Sequence, residues 1–277
     1  PPSIILIVYG VATEQSIARL FVAGILPGLL LVGLFAGYVA VRALMNRDLI
    51  PVEASDFSLM EKLKASRRLV PVVLLIAGVI GSIYTGIASP TDAAAVGVFL
   101  SLILASMSSS FGWAEFKAAL MGATRTSCMI AFILLGAAFL SIAMGFTGIP
   151  RNLAAWIGSF ELPTYALLAA LTVFFIVLGC FLEGLAMLVL TLPIFMPVIL
   201  SLGIDPIWFG VLVVLTLEMG LISPPVGINV FIVKSVARDV PLSEIFWGVI
   251  PFWFAMLVTL ALLVALPQLS LWLPGMM

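Results

Sequence analysis

The chain consists mainly of long runs of apolar residues separated by short polar stretches. A helix that crosses a bilayer needs about 20 mostly apolar residues, because the hydrocarbon layer is about 30 Å thick. Five uninterrupted runs reach that length. The sequence therefore predicts full membrane-spanning helices near residues 20–44, 70–88, 92–110, 124–145 and 248–272.

Two further apolar regions are broken near their middle. Residues 163–202 are interrupted by the Glu-Gly pair at 183–184, and residues 206–238 by the Ser-Pro-Pro sequence at 223–225. Each half is too short to cross the bilayer alone. Unpaired backbone is tolerated at membrane depth only where protein or water covers it. The pattern therefore predicts a re-entrant hairpin over 163–202 and a discontinuous helix over 206–238.

The composition is that of an integral membrane protein. Hydrophobic residues make up 64% of the 277 positions and charged residues only 9%. Twelve Lys and Arg against thirteen Asp and Glu give a net charge of −1, which does not favour a nucleic-acid partner. Histidine is absent, and Cys128 and Cys180 lie in apolar runs without a CxxC spacing. We therefore expect no transition-metal centre and no enzyme activity, and both cysteines are predicted to be packing residues.

The charged residues predict the topology of the chain. The one charge-rich stretch is residues 45–68, which are predicted to form a cytoplasmic linker. Threading the spans in order leaves only Arg19 and Arg151 on the other, external side, together with the 147–162 connection and the C-terminus. The ten basic residues of the cytoplasmic side are Arg42, Arg47, Lys62, Lys64, Arg67, Arg68, Lys117, Arg125, Lys234 and Arg238.

A short internal repeat relates the start of the chain to its second break. The segment PPSIILIV at 1–8 resembles PPVGINVF at 224–231, and GILP at 24–27 and GVIP at 248–251 follow at nearly equal distances. The two copies have opposite directions in the threaded topology, so the sequence predicts an inverted repeat. Secondary transporters often build a solute and ion site where such repeats meet. The second copy follows a hairpin, and we expect the corresponding first hairpin to precede Pro1 in a longer protein.

The predicted fold class is all-α and integral to the membrane, with inverted repeats, a re-entrant hairpin and discontinuous helices. Four segments follow along the chain. They are the half-helix of the first transport repeat (1–19, with its upstream hairpin missing), scaffold helices (20–162), the second transport repeat (163–238) and a C-terminal transmembrane helix (239–277).

The second break is the main candidate site. Two prolines and a glycine free several carbonyl oxygens at mid-depth, and oxygen ligands suit a sodium ion. Asn229 adds an amide oxygen where lipid would penalise one, and a Pro-kinked packing helix is the alternative interpretation. The predicted sodium ligands are Glu183, Gly184, Ser223, Pro224, Pro225, Val226, Gly227 and Asn229, with Pro2 from the first copy.

The predicted solute contacts are Ser3, Glu183 and Asn229. A carboxylate such as Glu183 costs about 2.5–3.5 kcal/mol or more at membrane depth, so it is a functional candidate. The alternative is a hairpin tip wetted by external water. Ser3 offers a hydroxyl and a helix N-terminus that suit an anionic oxygen, or it is a solvated chain end.

The other candidate residues have a structural explanation beside the functional one. Glu218 lies one turn before the break, and it either lines the same cavity or makes a hydrogen bond to another helix of the bundle. Ser89, Pro90 and Asp92 fit the N-cap, N1 and N3 positions of a helix, which favours capping over ion binding. Arg125 is predicted to extend to the lipid headgroups.

The sequence resembles the large membrane subunit of tripartite ATP-independent periplasmic (TRAP) transporters. The motifs that carry the resemblance span nearly the whole chain: PPS at 1–3 with Tyr9-Gly10, TGIASPTDAAAVG at 85–97, GCFLE at 179–183 and GLISPPVGIN at 220–229. Two departures are small, since Glu183 stands where Asp is commoner and Ser223 where Thr is commoner.

The resemblance implies a sodium-driven, elevator-type importer in the bacterial inner membrane. Such a subunit takes an organic acid, for example a C4-dicarboxylate or sialic acid, from a periplasmic substrate-binding protein and works with a small four-helix membrane subunit. Membrane lipid and sodium are its other expected partners. A sodium/dicarboxylate symporter without a binding protein shares the same plan, an intramembrane hydrolase is a distant alternative, and a passive channel is a third.

Overall fold

A computed structural model describes residues 3–46, 59–107, 111–160 and 163–277, and within these ranges every regular element is a helix. The all-helical fold class is confirmed. The α-helices are α1 (Ile4–Thr13), α2 (Ile17–Ala23), α3 (Ile25–Met45), α4 (Leu59–Ser66), α5 (Val70–Tyr84), α6 (Pro90–Ser106), α7 (Trp113–Thr147), α8 (Ile149–Gly158), α9 (Thr164–Gly179), α10 (Gly184–Ser201), α11 (Pro206–Ile222), α12 (Ile228–Val236), α13 (Leu242–Ala265) and α14 (Gln268–Leu271).

Four stretches of the described chain are long and apolar enough to cross a membrane: Ile17–Met45, which joins α2 and α3, and the helices α7, α10 and α13. Shorter apolar helices of 10–17 residues are α1, α5, α6, α9 and α11. Length and apolar composition therefore agree with an integral membrane protein that crosses the bilayer several times.

The helices α5 and α6 are shorter than the predicted spans 70–88 and 92–110. They have 15 and 17 residues, fewer than the ~20 that a full span needs. Helix α5 ends before Gly86, which has a left-handed φ of 72°. Helix α6 begins at a capping box, in which Ser89 accepts from the Asp92 N–H and the Asp92 carboxylate accepts from the Ser89 N–H. This cap starts a new helix at Pro90, so the predicted capping roles are confirmed. Residues 108–110 lie outside the described ranges.

Two other predicted spans have different ends in the structure. The predicted span 124–145 lies inside the 35-residue helix α7, which begins at Trp113. The predicted span 248–272 is displaced, because α13 starts at Leu242 and ends at Ala265. The charged linker 45–68 contains the helix α4, which a search for apolar runs does not detect. Residues 47–58 of this linker lie outside the described ranges.

The described chain forms two compact units, one of Pro1–Ala36 with Ile130–Met277 and one of Gly37–Met129. The core of the first unit lies among α1, α2, α10 and α11. Its fully buried side chains include Tyr9, Leu20, Met187, Leu188 and Leu217. The Tyr9 hydroxyl donates to the Pro206 carbonyl at 2.6 Å, which joins α1 to the start of α11.

In the second unit, α5 and α6 lie side by side. A Cβ added at Gly97 would be 3.1 Å from a methyl of Val79, so the two helices approach closely at this point. Most other side chains of this pair are exposed, and Ile83 and Ala93 are its buried members. This unit therefore contributes little core of its own.

Candidate functional site

The predicted second break is present in the structure. Helix α11 ends at Ile222, α12 begins at Ile228, and the Pro224–Pro225 peptide bond between them is cis. Gly227 precedes α12 with φ of 57°, a left-handed conformation that favours glycine. Among the described residues, no backbone N–H donates to the carbonyl oxygens of Ser223, Pro225 and Val226. No backbone donor in the described chain is therefore paired with these three oxygen atoms.

The predicted break at 183–184 is also present. Helices α9 and α10 are joined by residues 180–183, and their arms lie side by side because the Phe195 ring contacts those of Phe174 and Phe175 at centroid distances of 5.3 and 5.8 Å. Glu183 is exposed and caps α10, since its carboxylate accepts from the Ala186 N–H at 3.1 Å. The hairpin shape is thus observed, whereas its entry into a membrane from one side stays a prediction.

The two breaks meet because two glycines bring α9 and α11 together. A Cβ added at Gly220 would be 2.7 Å from the Gly179 Cα, closer than real Cβ contacts. Immediately beyond this crossing, the Cys180 thiol lies 3.4 Å from the Pro224 carbonyl oxygen. A Cβ on Gly184 would be 3.8 Å from Leu221, so the hairpin tip and the second break are neighbours.

The first half-helix reaches the same region. A Cβ on Gly184 would be 3.5 Å from the Ile5 side chain, which places the start of α1 beside the start of α10. Ser3 is the N-cap residue of α1, and its hydroxyl makes no capping hydrogen bond. Pro2, the predicted ligand from the first copy, lies outside the described residues.

Ser223 is the most constrained polar residue of the break. Its side chain is 3% exposed, and its hydroxyl donates to the Met219 carbonyl at 2.6 Å. The same oxygen accepts a hydrogen bond from the Trp253 indole N–H at 2.7 Å. Sequence reasoning did not single out Trp253, and the only available signal was its position just after the GVIP match of the repeat.

The remaining candidates have varied surroundings. Asn229 is half-buried in the first turn of α12, and Glu218 is half-buried on α11 within electrostatic range of Glu183. No hydrogen bond joins Glu218 to a neighbouring helix within the described part of the chain. Arg125 is exposed on α7. Cys180, predicted to be a packing residue, is buried but also contacts the second break. The same prediction is wrong for Cys128, which is exposed on α7.

The chemistry of this region is that of hard oxygen ligands. Across the described residues, no group of three or more His, Cys, Asp and Glu side chains is arranged to hold a metal ion. A separate cavity of about 630 Å³ between α9 and α13 is lined mainly by apolar side chains such as Leu168, Leu257 and Val264. The cavity lining contains none of the predicted ligands.

Comparisons with known proteins agree with this architecture. The family model for the DctM component of tripartite ATP-independent periplasmic transporters matches residues 1–269. The C4-dicarboxylate TRAP transporter large permease protein DctM of Pseudomonas aeruginosa is 32% identical over 276 residues, covering 99% of this chain and 64% of the relative.

Two other relatives have different named solutes. The ectoine/5-hydroxyectoine large permease protein UehC of Ruegeria pomeroyi is 33% identical, over 99% of this chain and 63% of its own length. The sialic acid large permease protein SiaM of Vibrio cholerae is 31% identical, over 99% of this chain and 64% of its own length. The chain thus spans a little under two thirds of these relatives. It belongs to the DctM component family of TRAP transporters, whose members are multi-pass inner-membrane permease subunits and not enzymes.

Proposed function

We propose that this chain is part of a sodium-coupled importer of an organic acid. In this proposal a periplasmic substrate-binding protein delivers the acid, and a small four-helix membrane subunit accompanies the chain in the inner membrane. The observation that carries the proposal is the meeting of two helix breaks at Cys180 and Pro224. Sites of this kind, formed by discontinuous helices near the midplane, are typical of secondary transporters.

The unpaired carbonyl oxygens support the cation half of the proposal. The oxygens of Ser223, Pro225 and Val226 have no backbone donor within the described chain, and a sodium ion would supply the missing electrostatic partner. Glu183 is next to Gly184, which lies beside Leu221 near the end of α11, so its negative charge would favour a cation at the break. Gly184, Pro224, Gly227 and Asn229 complete the proposed ligand region.

Helix N-termini support the anion half. Helix α1 begins beside the hairpin tip, and α12 begins directly after the second break, both without a side-chain cap. The N–H groups of a first helical turn and the helix dipole stabilise a nearby carboxylate. Ser3 and Asn229 add side-chain donors. Two of the relatives are named for C4-dicarboxylate and sialic acid, which are organic acids, and a third is named for ectoine.

Coupling follows if the cation and the acid occupy one cavity. Each then stabilises the arrangement that binds the other, which is a reciprocal effect. The inverted repeat provides two related arrangements of the cavity, and an elevator-type movement of the hairpin region against the longer spans would expose it alternately to each side of the membrane.

Reconstitution of the full-length transporter in liposomes tests the proposal. We expect uptake of the acid to require an inward sodium gradient, the small membrane subunit and the loaded binding protein. Equal uptake with a potassium gradient of the same size would overturn sodium coupling. Uptake of free acid without the binding protein would instead favour a symporter that acts alone.

A further inference from the structure

The indole of Trp253 connects the last long helix to the second break. Its N–H donates to the Ser223 hydroxyl oxygen at 2.7 Å, although the two residues are separated by 30 positions in the chain. Trp253 is half-buried on α13, two residues after Pro251. The adjacent residue of α13, Phe252, packs edge-on against Phe35 of α3 at a centroid distance of 5.0 Å. These two contacts fix the position of α13 near residues 252–253.

The chemistry of the two partners determines the direction of each hydrogen bond. An indole N–H can only donate, and a carbonyl oxygen can only accept. The single hydroxyl hydrogen of Ser223 must therefore point to the Met219 carbonyl, while one lone pair of its oxygen receives the Trp253 N–H. One lone pair remains, and its direction is set by the other two bonds. A free serine hydroxyl would rotate among several orientations.

The first copy of the repeat cannot make the same contact. Alignment of GILP at 24–27 with GVIP at 248–251 places Leu29 opposite Trp253. Leucine has no hydrogen-bond donor in its side chain. The two halves of the repeat therefore differ in sequence at this position.

We propose that Trp253 is a positioning residue for the cation site at the second break. It acts through Ser223, by keeping the hydroxyl oxygen and the adjoining carbonyl groups in one arrangement before the ion binds. Such preorganisation raises affinity because less ordering is left to occur on binding. The inference rests on the proposed sodium site, and it adds a residue that does not itself contact the ion.

Replacement of Trp253 by phenylalanine removes the N–H and keeps most of the ring. In the full transporter reconstituted with its partners, Trp253→Phe should raise the sodium concentration for half-maximal uptake about fivefold, the effect of one lost hydrogen bond. The maximal rate at saturating sodium should change less than about twofold, because the ligands themselves are intact. Trp247→Phe is the matched control, since Trp247 is on the same helix and 72% exposed.

A double variant separates positioning from space filling. Once Ser223→Ala has removed the acceptor, adding Trp253→Phe should raise the half-saturation concentration no further. Additive effects would mean that Trp253 acts by packing, and would overturn the proposal. Equal half-saturation in Trp253→Phe and Trp247→Phe would overturn it as well.

The thiol of Cys180 gives a measurement that does not depend on uptake. It is buried 3.4 Å from the Pro224 carbonyl oxygen, so its reaction with a small thiol reagent reports loosening of the break. In a Cys128→Ser background without sodium, Trp253→Phe and Ser223→Ala should each speed labelling about fivefold. Unchanged labelling in both would overturn the inference. If sodium affects neither uptake nor labelling in the parent protein, the proposed sodium-coupled function is wrong. The labelling rates measured without sodium still test whether Trp253 holds the second break.

Discussion

Helices α10 and α7 are both strongly apolar, yet they have opposite surroundings. More than half of the most apolar stretch of α10, 56%, is buried inside the described structure, whereas the corresponding share of α7 is 0%. Apolar composition therefore identifies helices that can lie in a membrane. It does not distinguish helices that are buried in the protein core from helices that are exposed. Close contact depends on small residues and on hydrogen bonds at a few positions, and the predictions below test these positions against exposed ones.

The largest expected effect is at the α9–α11 crossing. Gly220→Ala would place a Cβ 2.7 Å from the Gly179 Cα, where the neighbouring atom is backbone and cannot rotate away. We expect a loss of about 3 kcal/mol in the free energy of unfolding. The control is Gly136→Ala on α7, where no atom lies within 4 Å of the added Cβ and helix propensity predicts a gain of about 0.5–1 kcal/mol.

Both variants are measured by unfolding in detergent with increasing denaturant. Equal stability of the two would mean that the glycine crossing does not hold the hairpin against α11, and the contrast between the hairpin arm α10 and the exposed α7 would lose its physical basis.

The next effect concerns the carboxylate at the hairpin tip. Glu183→Gln keeps an oxygen that can cap α10 but removes one charge near the proposed cation, so folding should change little. The sodium concentration for half-maximal uptake should rise about tenfold to hundredfold. Asn229→Ala should shift it less, and substitution of the exposed Arg125 on α7 should leave it nearly unchanged. A normal half-saturation in Glu183→Gln would assign this carboxylate to solute contact, to gating or to no transport role.

A smaller effect is expected where α1 meets α11. Tyr9 has 0% exposure, and Tyr9→Phe leaves the Pro206 carbonyl without its 2.6 Å hydrogen bond. The free energy of unfolding should fall by about 1.5 kcal/mol, the upper end of the net contribution of one neutral hydrogen bond. Tyr165→Phe, at a residue that is 65% exposed, should change it by less than about 0.5 kcal/mol. Circular dichroism during thermal unfolding would distinguish these outcomes.

The smallest effect is in the second unit, where α6 depends on its cap. Ser89→Ala removes the acceptor for the Asp92 N–H and should cost about 1 kcal/mol. Ser101→Ala in the same helix is the control, because the Ser101 hydroxyl only bonds back to the Gly97 carbonyl, and it should be neutral or slightly stabilising. If both variants shifted the unfolding midpoint by the same amount, the cap would have no special role in the stability of α6.

Several features of the site were predictable because they depend on local chemistry. A double proline removes backbone N–H donors wherever it occurs, so the break at Pro224–Pro225 followed from the sequence alone. The capping box at Ser89 likewise involves residues three positions apart. Helix ends were less predictable. The span expected over 70–88 ends at Tyr84, because a left-handed Gly86 follows and hydropathy does not register such a turn.

The sequence by itself determined that this protein is helical, lies in a membrane and has two broken segments, because these properties depend on composition and on residues close together in the chain. The sequence also predicts one site from both breaks, but only the tertiary structure decided which contacts join them, Gly179 against Gly220 and Cys180 against Pro224, and that Trp253 holds Ser223. These contacts join residues some 30 to 44 positions apart. Their geometry depends on how entire helices cross, which no local pattern encodes.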